Sequence, residues 1–367
     1  MKGIKRIVVK IGSNLVSQER VIASVVEQIA ELKKSEVEVI LVSSGAIVSG
    51  IKEYGLSKRP KKIFEKQAYA SIGQPLLMKL YIEGFKKYDI KVAQVLLTRE
   101  DFENRGRYLN IRNTMEYLLK IGIVPIVNEN DTVSAEEIKL GDNDTLSALV
   151  ASKLSANMLI ILTDVDGLYD KNPREFSDAK IIHEVKDTCV ISQFLGSKGV
   201  AKTGFFGGTG GMKTKLDAAR IACSSGIETV IANGLKENVI LDVYSGDRSV
   251  GTRFCPLKFE MNARERWIAF GKKVKGRVII DEGAVVAVKE KNKSLLPSGV
   301  KFVEGNFKEK DVVSVVDEKG IEIGRGIVNF DCNMLKEIIG KKTSKIREIF
   351  PDVKVEEVIH KNDLVIL

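Results

Sequence analysis

Over its first 250 residues the chain alternates short, almost unbroken apolar runs with stretches of helical periodicity, which leaves few folds open. The apolar runs 4–11, 37–42, 92–97, 124–127, 158–163 and 229–232 are predicted strands. Between them, 22–34, 68–87, 111–121 and 145–154 are predicted helices; in the last, Leu146, Leu149, Val150 and Leu154 share one face. Strands that are apolar on both faces must be covered on both. The expected fold is therefore α/β: a three-layer α/β/α sandwich around a mostly parallel open sheet. Such sheets bind ligands beyond the carboxyl ends of their strands. The polar, glycine-containing segments fall there, after residues 11, 42, 127 and 163.

The pattern changes near residue 257. We expect one domain over 1–257, a partly helical linker over 258–275 and a small β-rich domain over 276–367. In that last part the short runs 278–280, 285–288, 300–302, 312–316 and 321–328 read as strands, with one helix near 334–339. No apolar run approaches the roughly 18 residues of a membrane span. The first six residues lead straight into a strand with no signal-peptide pattern, so a cytoplasmic protein is expected.

Composition removes several chemistries. The four cysteines, Cys189, Cys223, Cys255 and Cys332, are more than 30 residues apart, so none pair in a C-x-x-C; reduced, mostly buried thiols are expected. Only two histidines occur, His183 and His360, and neither sits in a triad-like or metal-binding setting. Lysines, carboxylates and backbone amides are left to do the work. The net charge of +9 is diffuse: residues 271–367 carry 19 basic against 16 acidic side chains, a net of +3. That region also has no Tyr or Trp and only three Arg, which argues against RNA as a partner.

Six segments can carry chemistry. Gly208-Thr209-Gly210-Gly211-Met212-Lys213-Thr214-Lys215 is a glycine-rich turn running into an amphipathic helix. Glycine lets backbone approach a ligand, free amides at a helix start attract an anion, and lysine adds charge, so the segment suits a nucleotide phosphate. It is neither a Walker A loop nor a dinucleotide fingerprint, since Lys213 stands where a third glycine would be. Taken alone, it is equally explained as a surface turn with no ligand. Lys10-Ile11-Gly12-Ser13-Asn14 ends the first strand, and Ser43-Ser44-Gly45-Ala46 follows the second, where serine also serves as an ordinary helix cap. Asn128-Glu129-Asn130-Asp131 and Gly141-Asp142-Asn143-Asp144 are denser in polar side chains than capping requires, and fit a zwitterionic ligand. Thr163-Asp164-Val165-Asp166 follows a further strand as a turn or a nucleotide contact.

In this order, and with Arg107-Tyr108-Leu109-Asn110 and Val230-Ile231-Ala232-Asn233-Gly234, these segments resemble the amino acid kinase family. The C-terminal part resembles a PUA domain through Gly283-Ala284 and Ser294-Leu295-Leu296-Pro297-Ser298-Gly299-Val300. Asn14, Pro75 and Asn306 depart from the family pattern, and Pro75 is expected to alter a helix start or a subunit contact. The resemblance implies transfer of the ATP γ-phosphoryl group to the side-chain carboxylate of L-glutamate, opening proline biosynthesis. It implies Lys10, Lys215 and Asp144 as the catalytic set, and Ser44, Asp131, Asn143, Asp142 and Asn128 around glutamate. The nucleotide would meet Lys10, Gly12, Thr163, Asp164, Thr209, Gly210, Gly211, Met212, Lys213, Thr214 and Lys215. Mg²⁺ would arrive on the nucleotide, with no protein ligand of its own. L-Proline as effector, a homo-oligomer (dimer or tetramer) and functional coupling to glutamyl-phosphate reductase belong to the same implication. The alternatives are another amino acid kinase, acting on aspartate or N-acetylglutamate, and an RNA-binding protein working through the PUA-like part.

Overall fold

The computed structural model describes residues 5–56, 60–134, 143–173, 175–186, 211–256, 263–271, 274–341, 348–350 and 355–367. The chain splits into two compact units, Met1–Glu260 and Met261–Leu367. Strands of the first unit are β1 (Arg6–Ile11), β2 (Glu38–Ser43), β3 (Val92–Leu97), β4 (Val124–Glu129), β5 (Met158–Thr163), β6 (Leu168–Tyr169), β7 (Ile181–Ile182), β8 (Glu184–Val185), β9 (Glu228–Asn233) and β10 (Thr252–Phe254). Eight of them form one sheet in the order β3-β4-β2-β1-β5-β9-β10-β8. From β3 to β9 every neighbouring pair is parallel, so the carboxyl ends of β1, β2, β4, β5 and β9 share one rim. Only β10 runs antiparallel to its neighbour β9.

Strand alternation decides which layer each side chain enters. Ile7, Val9, Ile11, Leu41 and Ile160 pack with Val25 and Ile29 of the Glu19–Lys34 helix, and with Leu77, Tyr81 and Phe85 of the Ile63–Lys86 helix. The opposite parity of β1, Val8 and Lys10, therefore turns to the other layer, where the Asn143–Lys153 helix packs on β1, β2 and β5. That helix is buried along nearly its whole length and lies against the Gly211–Cys223 helix. The expected sandwich is thus present.

Several local expectations change. Strand β4 continues two residues beyond the predicted end, because Leu96 and Leu97 of β3 pair with Asn128 and Glu129. Those two polar residues are consequently buried strand residues and not part of a following loop. Pro75 lies exposed inside the continuous Ile63–Lys86 helix and starts no new element. Where this helix crosses the Ala46–Tyr54 helix, Gly50 and Gly73 bring the two backbones together. A β-carbon on Gly50 would stand 1.9 Å from Tyr69 O, and one on Gly73 1.8 Å from Ala46 O.

The second unit holds a five-stranded sheet of β11 (Gly276–Ile280), β12 (Val300–Gly305), β13 (Val312–Asp317), β14 (Glu322–Ile327) and β15 (Leu364–Ile366), in the order β12-β11-β13-β14-β15. Residues 285–288, predicted as a strand, lie in the Glu282–Lys289 helix. Asp281 overrides the β-branched valines by accepting the Ala284 amide at 2.7 Å as the helix N-cap. In the segment expected to link the domains, a short Ala263–Arg266 helix leads into a π-helical turn, Trp267–Gly271. That turn packs on β14 and β15, with Ile268 and Ala269 fully buried and Ala269 O accepting from Arg325 Nη1 at 2.6 Å.

Overpacking a filled contact destabilises by about 1–3 kcal/mol, more where backbone must move. Gly50→Ala and Gly73→Ala should each lower unfolding free energy in urea by at least ~1 kcal/mol on that principle. A midpoint unchanged in either variant would contradict the close helix crossing.

Candidate functional site

Lys10 is 3% exposed in a central strand, and its parity carries it toward the start of the Asn143–Lys153 helix. Its Nζ lies 2.5 Å from Oδ1 of Asp144, whose side chain is wholly buried. The second carboxylate oxygen takes Lys215 Nζ at 3.1 Å and the Thr214 hydroxyl at 2.9 Å. Both come from the first turns of the Gly211–Cys223 helix, and Lys215 Nζ also donates to Gly211 O at 3.0 Å. One carboxylate thus fixes two ammonium groups that approach from a strand and from a helix.

Two glycines leave room beside those ammonium groups. A β-carbon on Gly12 would lie 3.7 Å from Lys10 Nζ, and one on Gly211 3.8 Å from Lys215 Nζ. Neither would clash, and Gly12 has an ordinary extended backbone (φ −77°). A methyl at either position would therefore lie in van der Waals contact with a lysine ammonium group.

A second cluster is built from amides. Asn143 Nδ2 donates to Ser44 Oγ and to Asn128 Oδ1, both at 3.0 Å. Asn128 Nδ2 donates to Gln74 Oε1 at 2.8 Å, and Gln74 Nε2 to Gln94 Oε1 at 2.9 Å. Ser44 precedes the Ala46–Tyr54 helix, whose cap Gly45 takes φ +108°, a conformation open to glycine, and a β-carbon there would also strike Val16 Cγ1 at 2.8 Å. Asp131 lies half-buried in the turn beyond β4.

At the ends of β5 and β9 a third group gathers. Thr163 Oγ1 donates to Asp164 Oδ1 at 3.2 Å, and Asn14 Nδ2 to Asp164 Oδ2 at 3.4 Å, which gives the unusual Asn14 a partner in this group. Asp166 takes Lys236 Nζ at 2.8 Å and Asn233 Nδ2 at 3.0 Å; Lys236 first, then Asn233, hold its carboxyl below the ordinary range.

Of the expected site residues, Lys10, Asp144, Lys215 and Thr214 meet directly, and so do Ser44, Asn143 and Asn128. Met212 is half-buried, whereas Lys213 is exposed, unlike Lys215. Asp142, Thr209 and Gly210 lie outside the described residues. Sequence reasoning missed Gln74, Gln94 and Lys236, because a lone polar residue on a helix or strand carries no signal until its tertiary neighbours are known. Cys223 and Cys332 are buried and Cys255 half-buried; burial pushes the Cys223 thiol up to about 12, leaving it an unreactive core thiol. Cys189 lies outside the described residues.

Residues 5–233 match the amino acid kinase family and residues 276–350 the PUA domain. The chain belongs to the amino acid kinase family and carries a PUA domain after its kinase part. It is 47% identical over 369 residues to a glutamate 5-kinase of Thermoanaerobacter sp. (strain X514), covering 99% of this chain and 98% of that protein. A glutamate 5-kinase of Geobacter sulfurreducens is 44% identical over 371 residues, covering 99% of this chain and 98% of the relative. Among solved structures, carbamate kinase from Giardia lamblia bound to AMP-PNP aligns with a TM-score of 0.49 at 16% identity, over 70% of this chain and 99% of that one. No helix among the described residues is long and apolar enough to cross a membrane.

Breaking a buried ion pair by removing one partner destabilises by roughly 3–5 kcal/mol, because the other charge is left in a poor solvent. Asp144→Ala strands two ammonium groups, so its unfolding free energy should fall by at least about 3 kcal/mol. Added phosphate should restore part of that loss. A variant as stable as the parent would mean that the lysines are not held by this carboxylate.

Proposed function

We propose that this chain transfers the γ-phosphoryl group of ATP to the side-chain carboxylate of L-glutamate, giving L-glutamyl 5-phosphate and ADP. The observation that carries the proposal is Asp144 holding Lys10 and Lys215 at 2.5 and 3.1 Å. The near full-length identity to glutamate 5-kinases supports glutamate over aspartate or N-acetylglutamate. In this reading residues 1–257 catalyse, 258–275 link and 276–367 form the PUA part.

A carboxylate acceptor is already ionised at neutral pH, so no general base is needed and the scarcity of histidine is no obstacle. The obstacle is electrostatic: two anions must meet, and the charge on the phosphoryl group in transit must be stabilised. An oxygen of the glutamate carboxylate forms the new P–O bond, while the bond from the γ-phosphorus to the bridging oxygen breaks and its electron pair leaves with ADP. Lys10 and Lys215, held beforehand by Asp144, would stabilise that charge from two sides. Gly12 and the amides of 208–211 would receive phosphate oxygens, with Met212, Lys213, Thr214, Thr163 and Asp164 completing the nucleotide site. Mg²⁺ carried by the nucleotide would supply further positive charge to offset the negative charge of its phosphates. Ser44, Asn143, Asn128, Asp131 and Asp142 would bind glutamate, their amides and carboxylates matching its carboxylate and ammonium groups.

The proposal extends to the first step of proline biosynthesis in the cytoplasm, with L-proline as feedback effector. It includes a homo-oligomer (dimer or tetramer) and functional coupling to glutamyl-phosphate reductase. The direct test traps the acyl phosphate as hydroxamate with glutamate, aspartate and N-acetylglutamate in parallel. A preference for either alternative acceptor would overturn the substrate assignment.

Two outcomes are expected of variants. Lys10→Ala and Lys215→Ala should each lower kcat by ~10²-fold or more, since removing one preorganised charge costs about 3 kcal/mol at the transition state; near-normal turnover in the Lys215 variant would sink the mechanism. Asn143→Ala and Asp131→Ala should raise KM for glutamate far more than KM for ATP, because ground-state contacts are removed. Equal rises in both would assign these residues to the fold or to the nucleotide.

A further inference from the structure

Asn128 Oδ1 accepts the backbone N–H of Glu129 at 2.8 Å, and a backbone amide can only donate. That contact tells Oδ1 from Nδ2 in the Asn128 amide. Its Nδ2 must point the other way, where Gln74 Oε1 receives it at 2.8 Å. Gln74 then shows its own Nε2 to Gln94 Oε1 at 2.9 Å, so each amide dictates the orientation of the next. On the opposite side, Asn128 Oδ1 takes a second proton from Asn143 Nδ2, which also donates to Ser44 Oγ. Both Asn143 protons are thereby directed. What remains is Asn143 Oδ1, a buried acceptor without a partner among the described residues. Buried polar atoms are nearly always paired, so an acceptor left over beside Ser44 calls for a donor that the described residues do not supply and that a bound ligand can bring.

We infer that Gln74 is a positioning residue: from the Ile63–Lys86 helix it holds the Asn128 amide, and through it Asn143, so that Asn143 Oδ1 is kept as an acceptor for an N–H donor of the bound ligand. The inference rests on the reading of Ser44, Asn143 and Asn128 as the glutamate site, where the donor is the α-ammonium group. Gln74 acts two hydrogen bonds away from Asn143 and would act on the ligand only through Asn128 and Asn143. The neighbouring Gly73 fixes its place, because the glycine crossing with Gly50 sets how close this helix comes to the Ala46–Tyr54 helix.

Gln74→Glu keeps an acceptor opposite Asn128 Nδ2, and exposed Gln94 can turn its own amide to meet the carboxylate. Gln74→Leu keeps bulk and removes the acceptor. With the full chain, Q74L should raise KM for glutamate about tenfold, the worth of one buried hydrogen bond at about 1.4 kcal/mol per decade. Its kcat and its KM for ATP should stay within about twofold, and Q74E should stay within about threefold of the parent in all three, as expected for lost ground-state binding alone. A Q74L enzyme with an unchanged glutamate KM, or with glutamate and ATP constants rising together, overturns the inference while leaving the proposed activity standing. Crystal structures of both variants give a readout that needs no turnover. Asn143 should leave hydrogen-bonding reach of Ser44 Oγ in Q74L and keep it in Q74E. An Asn143 unmoved in Q74L overturns the inference whatever the substrate proves to be, and a parent enzyme inactive on glutamate removes the proposed activity without touching that structural test.

Discussion

The charged cluster at the rim of the first unit's sheet is arranged around the buried carboxylate of Asp144 and the two lysines it holds. Taking three charges out of water is expensive, and a buried ion pair returns that cost only with good geometry and full hydrogen bonding. Here the carboxylate is met on one oxygen by Lys10 and on the other by Lys215 and Thr214. The arrangement still leaves the three ionised groups with one surplus positive charge. In a site of low effective dielectric such a surplus attracts an anion far more strongly than the same charge at the surface would. The chain's overall +9 is spread too thinly to provide such a local surplus, which comes from the placement of Lys10 and Lys215 around one carboxylate.

The scaffold accounts for how residues 10, 144 and 215 meet. Parity within β1 sends Lys10 into the layer that holds the Asn143–Lys153 helix, and a shift of one residue would send it into the opposite core. Two glycine devices organise the other half. Gly45 makes the left-handed turn that ends at the helix following Ser44, and the Gly50–Gly73 contact draws the Ile63–Lys86 helix close enough to bring Gln74 against Asn128. Backbone proximity of this kind is possible only without a β-carbon, so these glycines matter to the site although none of them touches it.

Much of this was legible in the sequence, for identifiable reasons. Near-continuous apolar strands announced the parallel sheet, and Asn143 and Asp144 stood out because polar density exceeded what capping explains, whereas Lys10 and Lys215 gained weight only from the ordered set of segments. Legibility failed where tertiary contact overrode local preference. Residues 285–288 are valine-rich and read as a strand, yet the Asp281 cap commits them to a helix. Asn128 and Glu129 read as loop residues, yet pairing with β3 keeps them in the sheet. Gln74 gave no signal at all, since its meaning lies in two partners that are 54 and 20 residues away.

The two clusters also depend on each other through a single peptide unit. Asn143 belongs to the amide relay and Asp144 to the charged cluster, and they are the first two residues of one helix. Consecutive helical side chains diverge by about 100°, so neighbours in sequence can serve opposite sides of one helix start. Asn143 is thus directed to Ser44 and Asn128 while Asp144 is directed to the lysines. The body of this helix is packed on both sides, against the sheet and against the Gly211–Cys223 helix, and cannot tilt toward one cluster without leaving the other. In the proposed reaction, acceptor recognition and phosphoryl stabilisation would be held in register by the same turn of backbone, which is what an in-line transfer between two anions requires.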